Sequence, residues 1–513
     1  MKKWKSALWL VFASFAMNMN AQNTTLDGPP IVLGRDAKIW VTENNDDRLV
    51  LCTVSRDLAF GYDDLWIYNY NKSTQQTDAQ KFDDNLEGRF AYMTEGVVHL
   101  ISERTNKKTK SLDYLEGTAP VGTGTVKKMS FTTKYSVPFE KHDLYFHHFA
   151  YSPDFSKFVI LTVLKPKSKS DISHIEDVAV FNSEGDLLWH NRQNAHYLIN
   201  YNAPVLVSND GVVYIAEYGC NDNPRLKAED SLHISVYNES GIENITEYFG
   251  PKASYRCTKS LLNDGRLIVS GVVCRNGKSS ETLSTYFVSR DGEFELVESS
   301  VELPVSPEDC LYNGDVYHDS VSSFLPYMHE IQELPDGKLL LVGELNYRDI
   351  IGQVISLNGP SHWIYGYLSR NLYKIMLTPD GDVMDVSTYP RATVTKEIYT
   401  NYCVVNTPGV FTRNGDIYFL YNEHKNNFTN GQQRLWTVLN NNRANETAVV
   451  LSKLGNNSLD NQVLYVSKIH SMTRQPGYTN DYEYFYKLIA DDDNAVYYIL
   501  KHDNEFRLER LQW

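Results

Sequence analysis

Glu333-Leu334-Pro335-Asp336-Gly337-Lys338, followed by Leu339-Leu340-Leu341-Val342-Gly343-Glu344-Leu345, sets the reading of the whole chain. Asp-Gly is a strong hairpin turn because both residues tolerate positive φ. The stretch after the turn is apolar and strongly β-forming. The pattern recurs seven more times. Asn45-Asp46-Asp47 precedes RLVLCTV, Glu95-Gly96 precedes VVHLISE, Pro153-Asp154 precedes KFVILTV, and Asn209-Asp210-Gly211 precedes VVYIAEY. Asn263-Asp264-Gly265, Asn414-Gly415 and Asp492-Asp493-Asn494 lead into RLIVSGVV, DIYFLYN and AVYYILKH. These turns lie 48 to 79 residues apart.

A second hairpin is expected inside most units, at Asn71-Lys72, Glu116-Gly117, Glu184-Gly185, Ser240-Gly241, Asp291-Gly292, Asp380-Gly381 and Asn441-Asn442. Each unit then holds four strands, A to D. Repeats of four antiparallel strands predict an all-β chain, a β-propeller of four-stranded blades. Eight blades are expected, with seven as the alternative count and two separate β-sandwiches as the alternative architecture. The last unit has only three strands before Trp513, so Pro29-Pro30-Ile31-Val32-Leu33 is expected to supply its fourth and close the ring.

His148-Phe149-Ala150-Tyr151-Ser152-Pro153-Asp154 and Glu333-Leu334-Pro335-Asp336-Gly337-Lys338 resemble the Ser-Pro-Asp-Gly repeat of TolB-like and YVTN-like (WD40-like) bacterial propellers. Phe155 stands where that pattern has glycine. The resemblance implies a fold and no particular activity. Propellers of this kind include scaffolds, ligand binders, lyases and hydrolases.

Lys2, Lys3 and Lys5, an apolar run from Ala7 to Met17 and a polar stretch ending in Ala21 form the three parts of a secretory signal. Residues 1–21 are therefore expected to be a signal peptide and 22–513 a single propeller domain. The run is too short to span a bilayer, which takes about 20 apolar residues, and no transmembrane segment is expected in the mature chain. The predicted location is the periplasm or cell surface of a Gram-negative bacterium. Formal charge is −15, which argues against nucleic acid as a partner. Export permits disulfides among Cys52, Cys220, Cys257, Cys274, Cys310 and Cys403, but buried free thiols are the preferred reading. Counting from Asp264-Gly265, Cys257 is expected to face residue 272.

Loop lengths point to a face. The A–B and C–D connections look tight. The B–C and D–A connections look long, at 163–177, 218–231, 301–328, 346–369, 423–434 and 455–481. Long ordered loops serve binding or catalysis. On that face a basic arc is expected from Arg104, Lys107, Lys108 and Lys110, then Lys165, Lys167 and Lys169, then Arg225, Lys227, Arg275 and Lys278. Aromatic residues crowd the same loops: Tyr347, His362, Trp363, Tyr365 and Tyr367 in blade 6, and Tyr312, Tyr317, Phe324 and Tyr327 before it. Tyrosine and tryptophan offer contact area and a polar tip that suit sugars and proteins alike.

The candidate ligand-binding set is Trp363, Tyr365, Tyr367, His362, Tyr317, Lys107, Lys108, Lys165 and Lys167. His142, His196 and His318 are weak candidates for a metal, and His147 and His148 fall on a first strand. No cofactor is predicted, although a metal ion is possible. The chain has no G-x-S-x-G, H-E-x-x-H, Walker or dinucleotide motif. The expectation is a noncatalytic binding or scaffold module for an envelope protein or glycan. The alternative is a lyase or hydrolase acting on an acidic oligosaccharide, and the sequence leans against catalysis without settling it.

Overall fold

The computed structural model describes residues 22–26, 28–31, 38–56, 63–83, 86, 88–139, 142–166, 173–197, 205–219, 231–250, 253–275, 278–303, 325–354, 362–396, 408–424, 437–439, 447–454, 459–466, 483–492, 495–502 and 505–512. The chain is all-β, an eight-bladed β-propeller, with eight separate sheets of four or five strands. Blade 1 comprises Lys38–Asn44, Arg48–Arg56, Asp63–Asn71 and Gln76–Phe82, and blade 2 comprises Gly88–Thr94, Val97–Asn106, Ser111–Pro120 and Phe131–Pro138. Blade 3 is His142–Tyr151, Lys157–Pro166, His174–Asn182 and Leu187–Ala195. Blade 4 is Val205–Val207, Val213–Gly219, Ser231–Asn238 and Gly241–Tyr248. Blade 5 is Ala253–Leu261, Leu267–Arg275, Lys278–Val288 and Phe294–Ser300, and blade 6 is Leu325–Glu333, Leu339–Val354, His362–Leu377 and Val383–Lys396. Blade 7 is Gly409–Arg413, Asp416–His424, Thr447–Leu454 and Leu459–Val466. Blade 8 is Glu483–Asp491, Ala495–His502, Glu505–Gln512 and the N-terminal Gln22–Thr25.

The chain divides into two compact units. One is Val32–Ile350 with Tyr367–Ala392, and the other is Met1–Ile31 with Ile351–Gly366 and Thr393–Trp513. In the first unit, successive sheets pack face to face. Phe158, Ile160 and Leu164 of blade 3 enter one cluster with Phe90, Tyr92, Ile101 and Tyr114 of blade 2. Their alternate neighbours Val159, Leu161 and Val163 enter another with Val205, Val207, Val213 and Ile215 of blade 4. Side chains alternate across a strand, so a second strand sandwiched between two sheets is apolar at consecutive positions. Equivalent clusters join blades 1 and 2, 4 and 5, and 5 and 6. In the second unit one joins blades 7 and 8.

All eight predicted A–B turns fall between first and second strands. They come in two main forms. Glu95-Gly96 and Asn414-Gly415 have positive φ at both central residues, the two-residue hairpin type. At Gly211, Gly265 and Gly337 the glycine N–H donates to a carbonyl three residues back, and the outer pair closes on the next residue. Phe155, standing where glycine is usual, takes φ 58°.

Four expectations are corrected. Glu116-Gly117 is not a turn but lies inside Ser111–Pro120. Gly117 is small there because a Cβ would collide with the Met129 thioether and the Phe131 ring. The C–D connection of blade 2 is therefore not tight. It carries Gly124–Val126, which pairs in parallel with the outer strand of blade 1. In blade 7, Leu454 pairs with Leu459, so the C–D connection is 455–458, and Asn441-Asn442 lies outside the described residues.

The closing strand is Gln22–Thr25, paired with Glu509–Gln512, rather than the Pro29–Leu33 stretch. Pro29 and Pro30 have no N–H to give a ladder, and among the described residues of that stretch Ile31 alone forms a bridge, to Phe506. Cys257 faces Gly271, one position from expectation, because the hairpin loop holds five residues between Leu261 and Leu267. Cys52, Cys257 and Cys274 are free thiols, and the other three cysteines lie outside the described residues. Residues 1–21 lie outside them as well. Among the described residues no helix is long and apolar enough to cross a membrane.

Gly271 sits against its partner strand so closely that a methyl group would overlap the Arg256 carbonyl oxygen and Cys257. Gly415 has open space but φ +80°. Gly271→Ala is expected to destabilise by about 1–3 kcal/mol through overpacking, and Gly415→Ala by about 1 kcal/mol through backbone strain. Thermal midpoints of the two variants measure the difference, and equal shifts would contradict the packing argument.

Candidate functional site

The B–C/D–A ends of blades 2, 3 and 4 hold carboxylates inside the protein. Glu176, third in its strand, is fully buried with His174. Its carboxylate accepts hydrogen bonds from the hydroxyls of Tyr197 and Tyr237, from Gln193 Nε2 at 2.7 Å and from His174 Nε2 at 3.0 Å. Tyr237 belongs to blade 4, so this carboxylate ties two sheets together. Burial opposes its ionisation, yet the His174 and tyrosine hydrogen bonds outweigh that and hold it below the usual carboxylate range. The His233 ring stacks on Tyr197 at 4.7 Å and lies 2.8 Å from Ser231 Oγ.

Between blades 2 and 3, Glu103 accepts from Arg89 Nε at 2.9 Å and lies 3.2 Å from His147 Nδ1. Burial works against the charge, but His147 and Arg89 prevail and bring the carboxyl down to about 2. Asp177 behaves differently. Burial dominates and raises its carboxyl, despite the Tyr135 hydroxyl at 2.5 Å and Arg192 at 3.7 Å. Asp113 accepts from Ser111, Ser136 and Asn106. Glu217 in blade 4 attracts Lys259 of blade 5, whose Nζ donates to the Ala216 carbonyl, while burial lowers that ammonium.

Blade 6 repeats the theme. Glu344 lies 3.2 Å from His329 Nε2 and 3.3 Å from Arg391 Nη1, all three buried. Next to His329, the half-buried Glu330 accepts from Gln332 Nε2 at 2.5 Å. Burial pushes its carboxyl up to about 7, where it exchanges a proton readily near neutrality. Blade 6 also carries the longest strands, Leu339–Val354 and His362–Leu377, sixteen residues each against seven to eleven in the other second and third strands. A three-residue strand, Thr437–Leu439, adds in parallel to the outer strand at Thr393–Thr395.

The expected site residues are only partly brought together. His362, Trp363, Tyr365 and Tyr367 lie in the third strand of blade 6 and not in a loop, with 363, 365 and 367 at alternate positions. Tyr347 lies in its partner strand. Tyr317, Lys167 and His318 lie outside the described residues, as do most of the expected long loops. Lys107 and Lys108 sit exposed in a four-residue turn, since Asn106 pairs with Ser111, and not in a long loop. Lys165 belongs to a strand, with its ammonium 3.6 Å over the Tyr145 ring. Arg104 lies 3.8 Å from Asp113, and Arg275 donates to the Phe249 carbonyl.

His142 opens the first strand of blade 3, whereas His196 follows the fourth. Three strand spacings, about 14 Å, separate those first and fourth strands. Among the described residues no three His, Cys, Asp or Glu side chains form a metal-binding group. A polar cleft of about 430 Å³ lies at the opposite end of blade 1, lined by Asn45, Asp47, Arg48, Asn69, Asn71 and Ser73. The side-chain oxygens of Asn45 and Asn71 are already bonded to turn N–H groups.

Sequence reasoning missed the buried acids, although a signal exists. Glu103, Glu217, Glu344 and Glu423 each come after the apolar run of a second strand.

No protein-family model and no curated protein matches the chain. Solved structures similar to it include the polysaccharide lyase Uly1, at 10% identity and TM-score 0.38 over 92% of this chain and 89% of that one. The WD40 domain of SCAP from fission yeast aligns at 8% identity and TM-score 0.37, covering 96% and 98%. The β-propeller domain of the Trilobed protease from Pyrococcus furiosus aligns at 9% and 0.31, covering 83% and 95%.

The low carboxyl of Glu103 links folding to pH. Unfolded, a glutamate ionises near about 4.3; folded, this one ionises at about 2. Its stabilisation is complete above about pH 5 and is lost as pH falls through the folded value. Glu103→Gln is therefore expected to lower the thermal midpoint at pH 7 and to flatten its acid decline between about pH 5 and 2. A pH series of melting curves tests this, and a parallel decline in both proteins would contradict it.

Proposed function

We propose that this protein is an exported, noncatalytic binding propeller that engages an envelope glycan or protein through the extension of blade 6. The observation that carries this reading is the sixteen-residue length of Leu339–Val354 and His362–Leu377. Such strands continue past the length that a blade needs, and their added part is aromatic: Tyr347, His362, Trp363, Tyr365 and Tyr367. Aromatic rings on a strand present large contact area at low entropic cost, because hydrogen-bonded neighbours already hold the backbone. The cations Lys107, Lys108 and Lys165, with Lys167 beside them in sequence, favour an anionic ligand. The buried carboxylates serve this reading as braces: they tie blade to blade and leave recognition to the extension.

A second reading, a lyase or hydrolase acting on an acidic oligosaccharide, is favoured by one observation. Glu330 is half-buried with a carboxyl at about 7, suited to proton transfer.

The test is affinity electrophoresis of the full chain in gels containing a polyuronate or a neutral β-glucan, with photocrosslinking from position 363 in the cell envelope. Trp363→Ala, Tyr365→Ala and Tyr367→Ala combined are expected to weaken retardation about tenfold or more with the thermal midpoint unchanged. Unaltered binding by the triple variant, to a glycan or to a crosslinked partner, would overturn the assignment. Appearance of unsaturated uronate product that Glu330→Gln abolishes would favour the enzymatic reading instead.

A further inference from the structure

Nine large hydrophobic side chains stand exposed among the described residues, and six of them are gathered on the outermost strands of blades 3 to 6. They are Leu187 and Leu188, Tyr248, Phe294 and Leu296, and Met384. Tyr248 is 61% exposed and Phe294 50%. These strands are neighbours. Asn191 Nδ2 of blade 3 donates to the Gly241 carbonyl of blade 4, the Glu243 side chain lies against Gly292 of blade 5, and Ser299 Oγ lies 3.3 Å from Asp382 of blade 6.

The sheets of blades 4 and 5 end at Gly241–Tyr248 and Phe294–Ser300, and among the described residues no strand pairs beyond these two edges. Blades 1 and 6 show what such an edge accepts: each takes a three-residue strand, added in parallel, from elsewhere in the chain. Main-chain hydrogen bonds supply affinity in such additions, and alternate side chains supply selectivity.

Charge selects the occupant. Residues 239–248, 289–300 and 378–387 together contain ten acidic residues and one cation, Arg290. Glu243, Glu295 and Glu298 are exposed on the edge strands. A second copy of a chain with formal charge −15 is repelled by such a surface. We infer that the outer strand of blade 5 docks an extended, lysine- and arginine-rich segment of a protein partner with apolar residues at alternate positions. The segment adds as a strand to Phe294–Ser300, its cations facing Glu295 and Glu298 and its apolar side chains covering Phe294 and Leu296.

The experiment is a fluorescence-anisotropy titration of the full chain with a labelled peptide of alternating lysine and valine, beside the same peptide N-methylated at alternate amides. Saturable binding to the first peptide is expected, with loss for the second, because methylation removes the ladder donors. Phe294→Ser with Leu296→Ser, and separately Glu295→Lys with Glu298→Lys, are each expected to weaken binding about tenfold or more. Circular dichroism checks that both variants fold. The Trp363, Tyr365 and Tyr367 substitutions are expected to leave this binding unchanged, so this docking and the blade 6 assignment fail independently. Absent binding, equal binding of the methylated peptide, or undiminished binding by both variants would overturn the inference. So would sedimentation showing a dimer that the serine variant dissolves, which would make the surface a contact between copies.

Discussion

The second strand of a blade is pressed between two sheets, and most of the architecture depends on that placement. In blade 3, Phe158, Ile160 and Leu164 turn to one neighbour while Val159, Leu161 and Val163 turn to the other. Each of these side chains removes apolar surface from water, an effect of about 1.5–3 kcal/mol for a large aliphatic or aromatic group. A blade alone would leave both faces wet, so each sheet is stable only as part of a stack. The outermost strands escape this demand. They are free to carry charge, and the glutamates of blades 4 and 5 show it.

Burial on both faces also explains where the carboxylates sit. A second strand that places Glu103 or Glu344 after its apolar run carries an acid into the seam between sheets, where an uncompensated charge would be costly. Each acid is met by side-chain partners. Arg89 and His147 serve Glu103, His329 and Arg391 serve Glu344, and two tyrosines with His174 and Gln193 serve Glu176. These networks satisfy charges held inside the protein, and the one at Glu176 joins blade 3 to blade 4 through Tyr237. Glu330 differs: Gln332 donates to it, but burial outweighs that hydrogen bond and its carboxyl rises.

Turn chemistry is local, so the eight first hairpins were legible from dipeptides such as Glu95-Gly96 and Asp336-Gly337. The same rule misled at Glu116-Gly117, where glycine answers to Met129 and Phe131 rather than to φ. The buried acids were illegible one at a time because their partners are remote. Glu176 meets Tyr237 across 61 residues and Glu344 meets Arg391 across 47. The aromatic group of blade 6 was read as a loop for a related reason. Gly359-Pro360 looks like loop chemistry, yet the strands resume at His362, because pairing between two long strands overrides local propensity.

The pairing of Gln22–Thr25 with Glu509–Gln512 has a kinetic consequence. The first described strand completes the last sheet, so its ladder partner is made only about 480 residues later in the sequence. An idle strand that was aliphatic would invite association with any nascent edge nearby. Gln-Asn-Thr-Thr has no apolar side chain beyond the threonine methyls, so its premature pairing gains almost nothing. The ladder of the last strand gives the segment its specific place, so a pairing that spans nearly the whole sequence is made by residues with little to gain elsewhere.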